Sequence, residues 1–356
     1  MLWINYRIGY NKLVRPIYQF IYFSQRYYAP GFRRFDGGHL NRMKLMTYDL
    51  IALGEPMIEF NQITPGVPQY HQGFGGDTSN AAIAAARQGA RVAYLTRIGD
   101  DDFGHLLLGV WQRERVTTEH IVRDANAHTG IYFVSHDNNG HRFSYLRADS
   151  AASRMTPGNL PLTPIIQARW LHVSGISQAI SDTACATVLA AIELARSHKV
   201  RVSYDANLRL RLWPLERARA VIESTISQTD LFLPSLEEAQ TLSGASDVDG
   251  ILAWCFAHGA RTVVLKCGAD GAWLAERGGV PRHVNALRVS PVDATGAGDC
   301  FDGSLLARLA AGDDLAGAVK YANVAAALST QGWGAIEPIP DAAQVRLALA
   351  SPAAQP

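Results

Sequence analysis

From Tyr48 onward the chain alternates short, nearly continuous apolar runs with longer amphipathic segments. Apolar runs of this kind are typical of strands that are buried on both faces, and the amphipathic segments are typical of the helices that cover them. This alternation predicts an α/β domain with a mostly parallel central sheet flanked by helices. The candidate strands are YDLIALG (48–54), RVAYLTRIG (91–99), ARWLHVSG (168–175), VRVSYDAN (200–207), DLFLPS (230–235) and RTVVLKCG (261–268).

Two segments, about 56–74 and 128–148, break this rhythm with an alternation of apolar and polar residues. In the second, TGIYFVSHDNNGHRFSYL predicts a hairpin around Asn138, Asn139 and Gly140. Strands outside an α/β alternation usually form a small separate sheet. Because open α/β folds bind ligands at the carboxyl ends of their strands, we expect a small β-sheet lid over that edge.

The composition is that of a globular protein, since 48% of the 356 residues are apolar and 18% are charged. These values exclude a disordered chain, a collagen and a coiled coil. The balance of 33 basic and 32 acidic residues hides a local excess of positive charge. Residues 1–46 carry eight of the Lys and Arg residues and one acid, Asp36, which leaves 25 basic and 31 acidic residues in the remainder.

Residues 1–46 also hold eleven of the 32 aromatic residues. We interpret them as a basic, aromatic N-terminal extension, for which two explanations stay open. One is a start assigned too early, with Met43 or Met46 as the true first residue; the other is attachment to a nucleic acid or an anionic membrane. The predicted domain covers 47–345 with a C-terminal tail at 346–356, and no nucleic-acid or membrane partner is expected for the domain itself.

Several features bear on location. No uncharged apolar run reaches the roughly 18 residues of a transmembrane helix, and the run PIYQFIYF lacks the small-residue cleavage site of a signal peptide. The four cysteines match no zinc or CxxC spacing, and a chain of this size needs no disulfides. They are Cys185, Cys255, Cys267 and Cys300. A cytoplasmic protein is the expectation.

The segment DATGAGDCFDGSLLARLAAG at 293–312 carries the strongest chemical signal. Gly296, Ala297 and Gly298 have little or no side chain, so their backbone amides can close on an anion at the positive end of the helix that follows. A carboxylate at Asp299 is then placed to take the proton of a hydroxyl that attacks a phosphoryl group. An ordinary capped helix after a glycine turn is the alternative. The Walker and dinucleotide patterns are both absent.

The string D-x-T-G-A-G-D-x-F-x-G resembles the C-terminal signature of the ribokinase-like sugar kinases, the pfkB carbohydrate kinase family. The companion signature near the start of such proteins resembles GGDTSNAAIAAARQGARVAYLTRIGDDDFG at 75–104. The resemblance runs in collinear order from about 48 to 339. It implies a ribokinase-like fold with a small β-sheet lid, and phosphoryl transfer from ATP with Mg²⁺. A monovalent cation is a further ligand that the resemblance leaves open.

Within the family, five strings resemble the 2-keto-3-deoxygluconate kinases. They are LGEPMIEFN (53–61), GIYFVSH (130–136), FSYLRADSAAS (143–153), VSGIS (173–177) and YDANLRLRLW (204–213). The resemblance implies that a sugar acid is bound by a set of residues from these strings and from the first signature. That set is Gly76, Asn80, Tyr132, Tyr145, Arg147, Ile176 and Arg209.

The two arginines also make chemical sense without the resemblance, because a guanidinium offers a carboxylate a planar two-point donor. Arg147 and Arg209 are alternatively surface residues beside strand ends. Tyr132 and Tyr145, on opposite arms of the predicted hairpin, are alternatively a cross-strand pair that stabilises the lid without touching a ligand.

On the nucleotide side, the family's N-x-x-E element corresponds to Ser235 through Glu238, with Ser in place of Asn. The resemblance assigns Ser235 to a phosphate contact and Glu238 to the Mg²⁺ ion through water. The string KCGADGAW resembles the turn that lies over the triphosphate. It places Lys266, Gly268 and Gly271 there, and Asn323 beside the adenine. Lys266 is alternatively a simple strand-end charge.

These signals predict an enzyme that phosphorylates the terminal primary hydroxyl of 2-keto-3-deoxygluconate with ATP, giving the 6-phosphate. Other sugar kinases of the family stay open, namely those for ribose, fructose or a keto-deoxy-galactonate. A non-catalytic sugar-acid sensor is a further alternative, against which Asp299 and Glu238 argue. The exposed face of a small isolated lid sheet favours pairing with a second copy, so we predict a homodimer formed through the lid.

Overall fold

The computed structural model describes residues 47–137 and 140–351 and contains a nine-stranded sheet in that part of the chain. Its strand order is β15-β14-β13-β12-β11-β10-β1-β4-β6. The pairs from β13 to β6 are parallel, and β14 and β15 add an antiparallel edge. The strands are β1 (Tyr48–Leu53), β2 (Met57–Gln62), β3 (Tyr70–Gly75), β4 (Val92–Leu95), β5 (Arg97–Gly99), β6 (Val116–Thr117), β7 (Val122–Asp124), β8 (Gly130–Asp137), β9 (Gly140–Leu146), β10 (Ala168–Ser174), β11 (Arg201–Asp205), β12 (Leu231–Phe232), β13 (Thr262–Lys266), β14 (Ala272–Glu276) and β15 (Arg282–Val284).

Helices cover both faces of this sheet. Successive residues of β1 point to opposite sides, so that Leu50 packs into one buried apolar cluster and Ile51 into the other. The helices are α1 (Asp77–Arg87), α2 (Asp102–Arg113), α3 (Leu162–Ile166), α4 (Gly175–Ala179), α5 (Asp182–Ser197), α6 (Leu215–Ile226), α7 (Leu236–Ser243), α8 (Val248–Ala257), α9 (Ala297–Ala311), α10 (Leu315–Ser329) and α11 (Ala342–Ala350). The predicted α/β class with a mostly parallel sheet is confirmed.

The four strands β3-β2-β8-β9 form a second, smaller sheet, as expected from the two irregular segments. The β2–β8 pair is parallel and the two outer pairs are antiparallel. Three residues separate the end of β1 from the start of β2. The small sheet therefore begins at the carboxyl edge of the main sheet, where a lid would lie.

Some predicted boundaries differ from the structure. The segment 91–99 is two strands, because its second part, β5, leaves the main sheet and pairs with β7 in a separate two-stranded sheet. Between the two strands, the Thr96 hydroxyl donates to the Gly54 carbonyl at 2.7 Å. Helix α11 runs across the predicted boundary between 345 and 346. The predicted extension at 1–46 and the hairpin residues Asn138 and Asn139 lie outside the described residues. No helix in the described part of the chain is long and apolar enough to cross a membrane.

Candidate active site

Polar side chains converge where the parallel strands of the main sheet end, as they do in open α/β folds. Glu55 follows β1, Asp205 ends β11 and Lys266 ends β13. Helix α9 brings Asp299 to the same place, since the Asn80 side chain on α1 donates to Asp299 Oδ2 at 2.8 Å. Residues that lie more than 200 positions apart in the sequence thus form one site.

The first turn of α9 has the geometry of an anion site. Gly296 adopts a φ of 75°, which favours glycine, and a Cβ there would lie 2.9 Å from the Ala335 side chain. The Ala297 amide donates to the Ala294 carbonyl at 3.2 Å. Helix geometry leaves the next amides, those of Gly298 and Asp299, without intrahelical acceptors. Of the predicted anion-binding amides, these two are therefore the ones available to a ligand.

The Asp299 carboxyl is buried in a negatively charged setting. Burial raises its pKa to about 8, and the charge of Asp77 acts in the same direction, while the hydrogen bond from Asn80 and the charge of Lys266 oppose the shift. A carboxylate with a raised pKa is a stronger base than an exposed one. This placement suits the proton transfer that the sequence assigns to Asp299.

The raised pKa of Asp299 predicts a pH dependence. Only the deprotonated carboxylate accepts a proton, so kcat/KM for the sugar should rise with pH, by about tenfold per unit, and level off above about pH 8. A pH–rate profile measured from pH 6 to pH 9.5 checks this. A profile that is flat over that range would contradict the assignment of Asp299 as the base.

Two buried oxygens beside Asp299 have no hydrogen-bond partner in the described structure, namely Asp77 Oδ1 and Asn80 Oδ1. The second oxygen of Asp77 accepts from the Asn207 side chain at 3.1 Å. Buried polar atoms are rarely left unpaired in folded proteins. The two oxygens therefore indicate a position for water or for a ligand at the N-terminal end of α1.

The carboxylates of Asp205 and Glu238 are the oxygen ligands that Mg²⁺ prefers. Burial raises the pKa of Glu238, and the charge of nearby Asp205 acts in the same direction. Within the described ranges, no three His, Cys, Asp or Glu side chains are arranged to hold a metal ion by themselves. The residues present fit the predicted role for Glu238, in which water lies between the carboxylate and the ion.

Ser235 and Glu238 also have a local structural role. The Ser235 hydroxyl accepts from the Glu238 amide at 3.3 Å, and Glu238 Oε2 accepts from the Ser235 amide at 3.0 Å. This reciprocal pair caps the N-terminus of α7. The other oxygen, Glu238 Oε1, accepts from the Leu208 amide at 3.0 Å. Both oxygens of Glu238 are thus oriented before any ion binds.

Gly268 and Gly271 both lie in the turn that follows β13, but the side chain of Lys266 points away from this turn. It donates to Asp205 at 3.1 Å and to both oxygens of Asp302, at 3.1 and 3.0 Å. Gly268 and Gly271 adopt positive φ values, and a Cβ on Gly271 would lie 2.1 Å from the Val284 carbonyl oxygen. The two glycines lie in the turn, whereas Lys266 points toward α9, and the triphosphate contact assigned to Lys266, Gly268 and Gly271 stays a prediction.

Asn323 lies on α10 and is 5% exposed. Its side-chain amide donates to the Val284 carbonyl at 2.9 Å and to the Asn285 carbonyl at 3.3 Å. These bonds hold the end of β15 against α10. The adenine contact assigned to Asn323 stays a prediction. The bonds from Asn323 to the end of β15 would shape the region in which the adenine is predicted to lie.

The lid tyrosines are direct cross-strand partners on β8 and β9, with ring centroids 6.0 Å apart. Tyr145 is 41% exposed, while Tyr132 is buried and its hydroxyl donates to Glu59 on β2. Because the Tyr132 proton is engaged by Glu59, the lone pairs of its oxygen are what it offers a ligand. Tyr132 is therefore suited to accept from a sugar hydroxyl and unsuited to donate to a carboxylate.

Arg147 lies inside the site, with its side chain 10% exposed, and is paired with an acid. Its Nε and Nη2 atoms donate to Glu55, whose other oxygen accepts from the Ser150 hydroxyl at 2.6 Å. Glu55 thereby neutralises Arg147 and fixes the end of β9 against the main sheet. The planar two-point donor that the sequence offered to a sugar acid is already used inside the protein.

Arg209 is more open, since half of its side chain is exposed. Its Nη1 donates to the Leu208 carbonyl at 3.0 Å and lies 3.5 Å from Glu238 Oε1. Ile176 lies on α4, which begins where β10 ends. Gly76 precedes α1, where a Cβ would lie 2.4 Å from the Glu55 carbonyl oxygen. These three residues all lie near the carboxyl edge of the main sheet, each on a different segment of the chain.

Several residues of the site were quoted in the sequence strings without being assigned a role. In the sequence, each acid is one residue inside a motif, and only its contacts in the folded structure indicate what it does. Glu55 pairs with Arg147, Asp77 and Asp205 add negative charge, and Asp302 pairs with Lys266. The residues that sequence reasoning missed are Glu55, Glu59, Asp77, Asp205, Asn207 and Asp302.

Comparison with known proteins adds a second line of evidence. The 2-dehydro-3-deoxygluconokinase of Thermoproteus tenax is 34% identical over 300 residues, which are 82% of this chain and 91% of that protein. The probable fructokinase-4 of Arabidopsis thaliana is 34% identical over 321 residues, 84% of this chain and 96% of that protein. The two relatives therefore have the same percentage of sequence identity to this chain.

Among solved structures, a fructokinase double mutant of Vibrio cholerae O395 in fructose, ADP and potassium ion bound form superposes with a TM-score of 0.77. It is 28% identical, and the match covers 84% of this chain and 98% of that one. The family model described as pfkB family carbohydrate kinase matches residues 47–342. A match of this extent, with the ribokinase-like architecture described above, establishes that the chain belongs to the pfkB family of carbohydrate kinases.

Proposed function

We propose that this sugar kinase transfers the terminal phosphoryl group of ATP to the primary hydroxyl of 2-keto-3-deoxygluconate. The observation that carries the proposal is the half-exposed Arg209, which lies 3.5 Å from Glu238 at the strand ends and keeps half of its side chain accessible to a ligand. An aldonic-type acid has a carboxylate that such a cation would bind. The extended match to the Thermoproteus tenax enzyme supports the same substrate.

In this proposal Asp299 accepts the proton of the attacking hydroxyl, and the amides of Gly298 and Asp299 bind the transferring phosphoryl group. Charge at a helix N-terminus stabilises an anion without reorganisation, which is the main protein contribution to phosphoryl transfer. A Mg²⁺ ion held through water by Glu238 would neutralise charge on the nucleotide phosphates. Tyr132 would accept a hydrogen bond from a sugar hydroxyl under the lid.

A second candidate is phosphorylation of a neutral ketose such as fructose. The contact between Arg147 and Glu55 favours it, because a neutralised arginine gives no preference for an acid. The equal identity to the Arabidopsis thaliana relative agrees with this candidate. The two candidates differ in whether Arg209 meets a carboxylate.

A substrate panel separates the candidates. In an assay that couples ADP release to an optical signal, we expect the highest kcat/KM with 2-keto-3-deoxygluconate, compared with 2-keto-3-deoxygalactonate, fructose, ribose and adenosine.

The Arg209→Gln variant should lose about 10- to 100-fold in kcat/KM on the acid, the value of a charged hydrogen bond, and little on fructose. Arg217→Gln is the matched control, since Arg217 is equally exposed and pairs with Asp182 on α5. Equal or better turnover of fructose by the wild type would remove the acid proposal and leave the second candidate.

A further inference from the structure

Asp302 is a buried acid that the proposed reaction leaves without a role. It is 1% exposed and follows Asp299 by three residues on α9, so the two side chains project from the same side of the helix. Both of its oxygens accept from the Lys266 ammonium. Asp302 therefore connects the first turn of α9 to the end of β13.

This contact determines where the positive charge of Lys266 lies. The ammonium is bound on one side by Asp205 and on the other by Asp302. A Cβ added to Gly298 would lie 3.7 Å from Lys266 Nζ. The charge is consequently held next to the amides that are available to an anion.

Stability alone does not explain such a pair. Taking a carboxylate and an ammonium out of water costs free energy for each ion, and buried ion pairs are often no more stabilising than apolar residues of similar volume. A lysine side chain also loses rotamer freedom when it is held in one position. What the pair does provide is a single, defined position for one cation in a cluster where Asp77 and Asp205 supply negative charge.

We propose that Asp302 is a positioning residue for phosphoryl transfer. It holds the Lys266 ammonium beside Gly298, where the ammonium adds positive charge along the path of the transferred phosphoryl group. No bond forms to either residue during the reaction. The inference rests on the proposed use of the α9 N-terminus as the phosphoryl site.

The test measures kcat, the KM values for sugar and ATP, and thermal stability in four variants, with the best sugar of the wild-type panel. We expect Asp302→Asn to lower kcat about 100-fold with KM values within about threefold, the size of effect seen when one electrostatic donor is lost. Asp302→Glu, which keeps the charge but shifts it, should lose only about tenfold. If Asp302 acts through Lys266, the double variant with Lys266→Met has the same kcat as Lys266→Met alone.

The matched control is Asp124→Asn, which removes a buried acid from an ion pair with Arg97 on the small β5–β7 sheet and should leave kcat unchanged. Wild-type kcat in a folded Asp302→Asn variant, or losses that add in the double variant, would overturn the inference. If Asp302→Asn does not fold, the kcat of Asp302→Glu decides, and a wild-type value overturns it. Asp299→Asn is measured in parallel: full turnover there refutes the proposed site, whereas loss there with normal Asp302→Asn refutes the positioning role alone.

Discussion

Replacing Asp299 with Asn should lower kcat by about 10²- to 10⁴-fold, the contribution of a general base, and leave the KM for the sugar within about threefold. The reason is local, since Asn has the shape of Asp and can still accept from the Asn80 side chain, which lies 2.8 Å from Asp299 Oδ2. The variant loses the ability to take a proton and keeps the backbone amides of the anion site. Steady-state kinetics and sugar binding by calorimetry check the two expectations separately.

The matched control is Asp313→Asn, near the other end of the same helix, where the carboxylate pairs with Arg308. This substitution changes charge by the same amount without touching the site, so its kcat should equal that of the wild type. Near-normal turnover by Asp299→Asn would refute the assignment of the base. Loss of turnover together with loss of sugar binding would instead indicate that Asp299 mainly holds the substrate.

Replacing Gly303 with Val should give the largest loss of stability, about 3 kcal/mol or more in the free energy of unfolding. Gly303 lies where α9 crosses α1, and a Cβ there would lie 2.1 Å from the Ala81 carbonyl oxygen and 2.8 Å from the Ala84 side chain. The two helices would have to separate. Because Asn80 and Asp299 lie on these helices, their hydrogen bond should be lost with the packing, and turnover with it.

Denaturant unfolding compares this variant with Gly109→Ala, a glycine on α2 whose added Cβ would meet only the Arg113 side chain, at 3.4 Å. That control should be neutral or slightly stabilising, since Ala favours a helix over Gly by up to about 1 kcal/mol. Equal stability of Gly303→Val and wild type would show that α9 and α1 can move apart freely. The last glycine of the D-x-T-G-A-G-D-x-F-x-G string, Gly303, would then have no packing explanation.

The sequence predicted the fold well because the fold follows from local patterns. Buried parallel strands are nearly continuous in apolar residues and their helices are amphipathic, so each of the six candidate strands corresponds to at least one observed strand of the structure. The glycine motif predicted the start of α9 for the same reason, since a turn with a positive φ at Gly296 needs glycine locally. The split at Thr96 was missed because it depends on the pairing of β5 with β7, which lies beyond α2 in the sequence.

The candidate site was predicted less completely, because charge and hydrogen bonding depend on residues far apart in the chain. The sequence placed Arg147 near a ligand but could not indicate that Glu55, 92 residues earlier, neutralises it. It placed Lys266 at a turn but not against Asp302, 36 residues later. It gave Glu238 a ligand role without the capping role that orients both of its oxygens.

By itself, then, the sequence determined the α/β architecture, the small lid sheet, the glycine turn that starts α9 and the family, since each depends on residue types at short, regular spacing. Tertiary structure alone decided which charges are paired and which are open to a ligand. It buries Arg147 against Glu55 and Lys266 against Asp302, whereas Arg209, 3.5 Å from Glu238, keeps half of its side chain exposed. The physical reason is that a charge is neutralised by whatever lies within a few ångströms of it, and only folding brings those groups together.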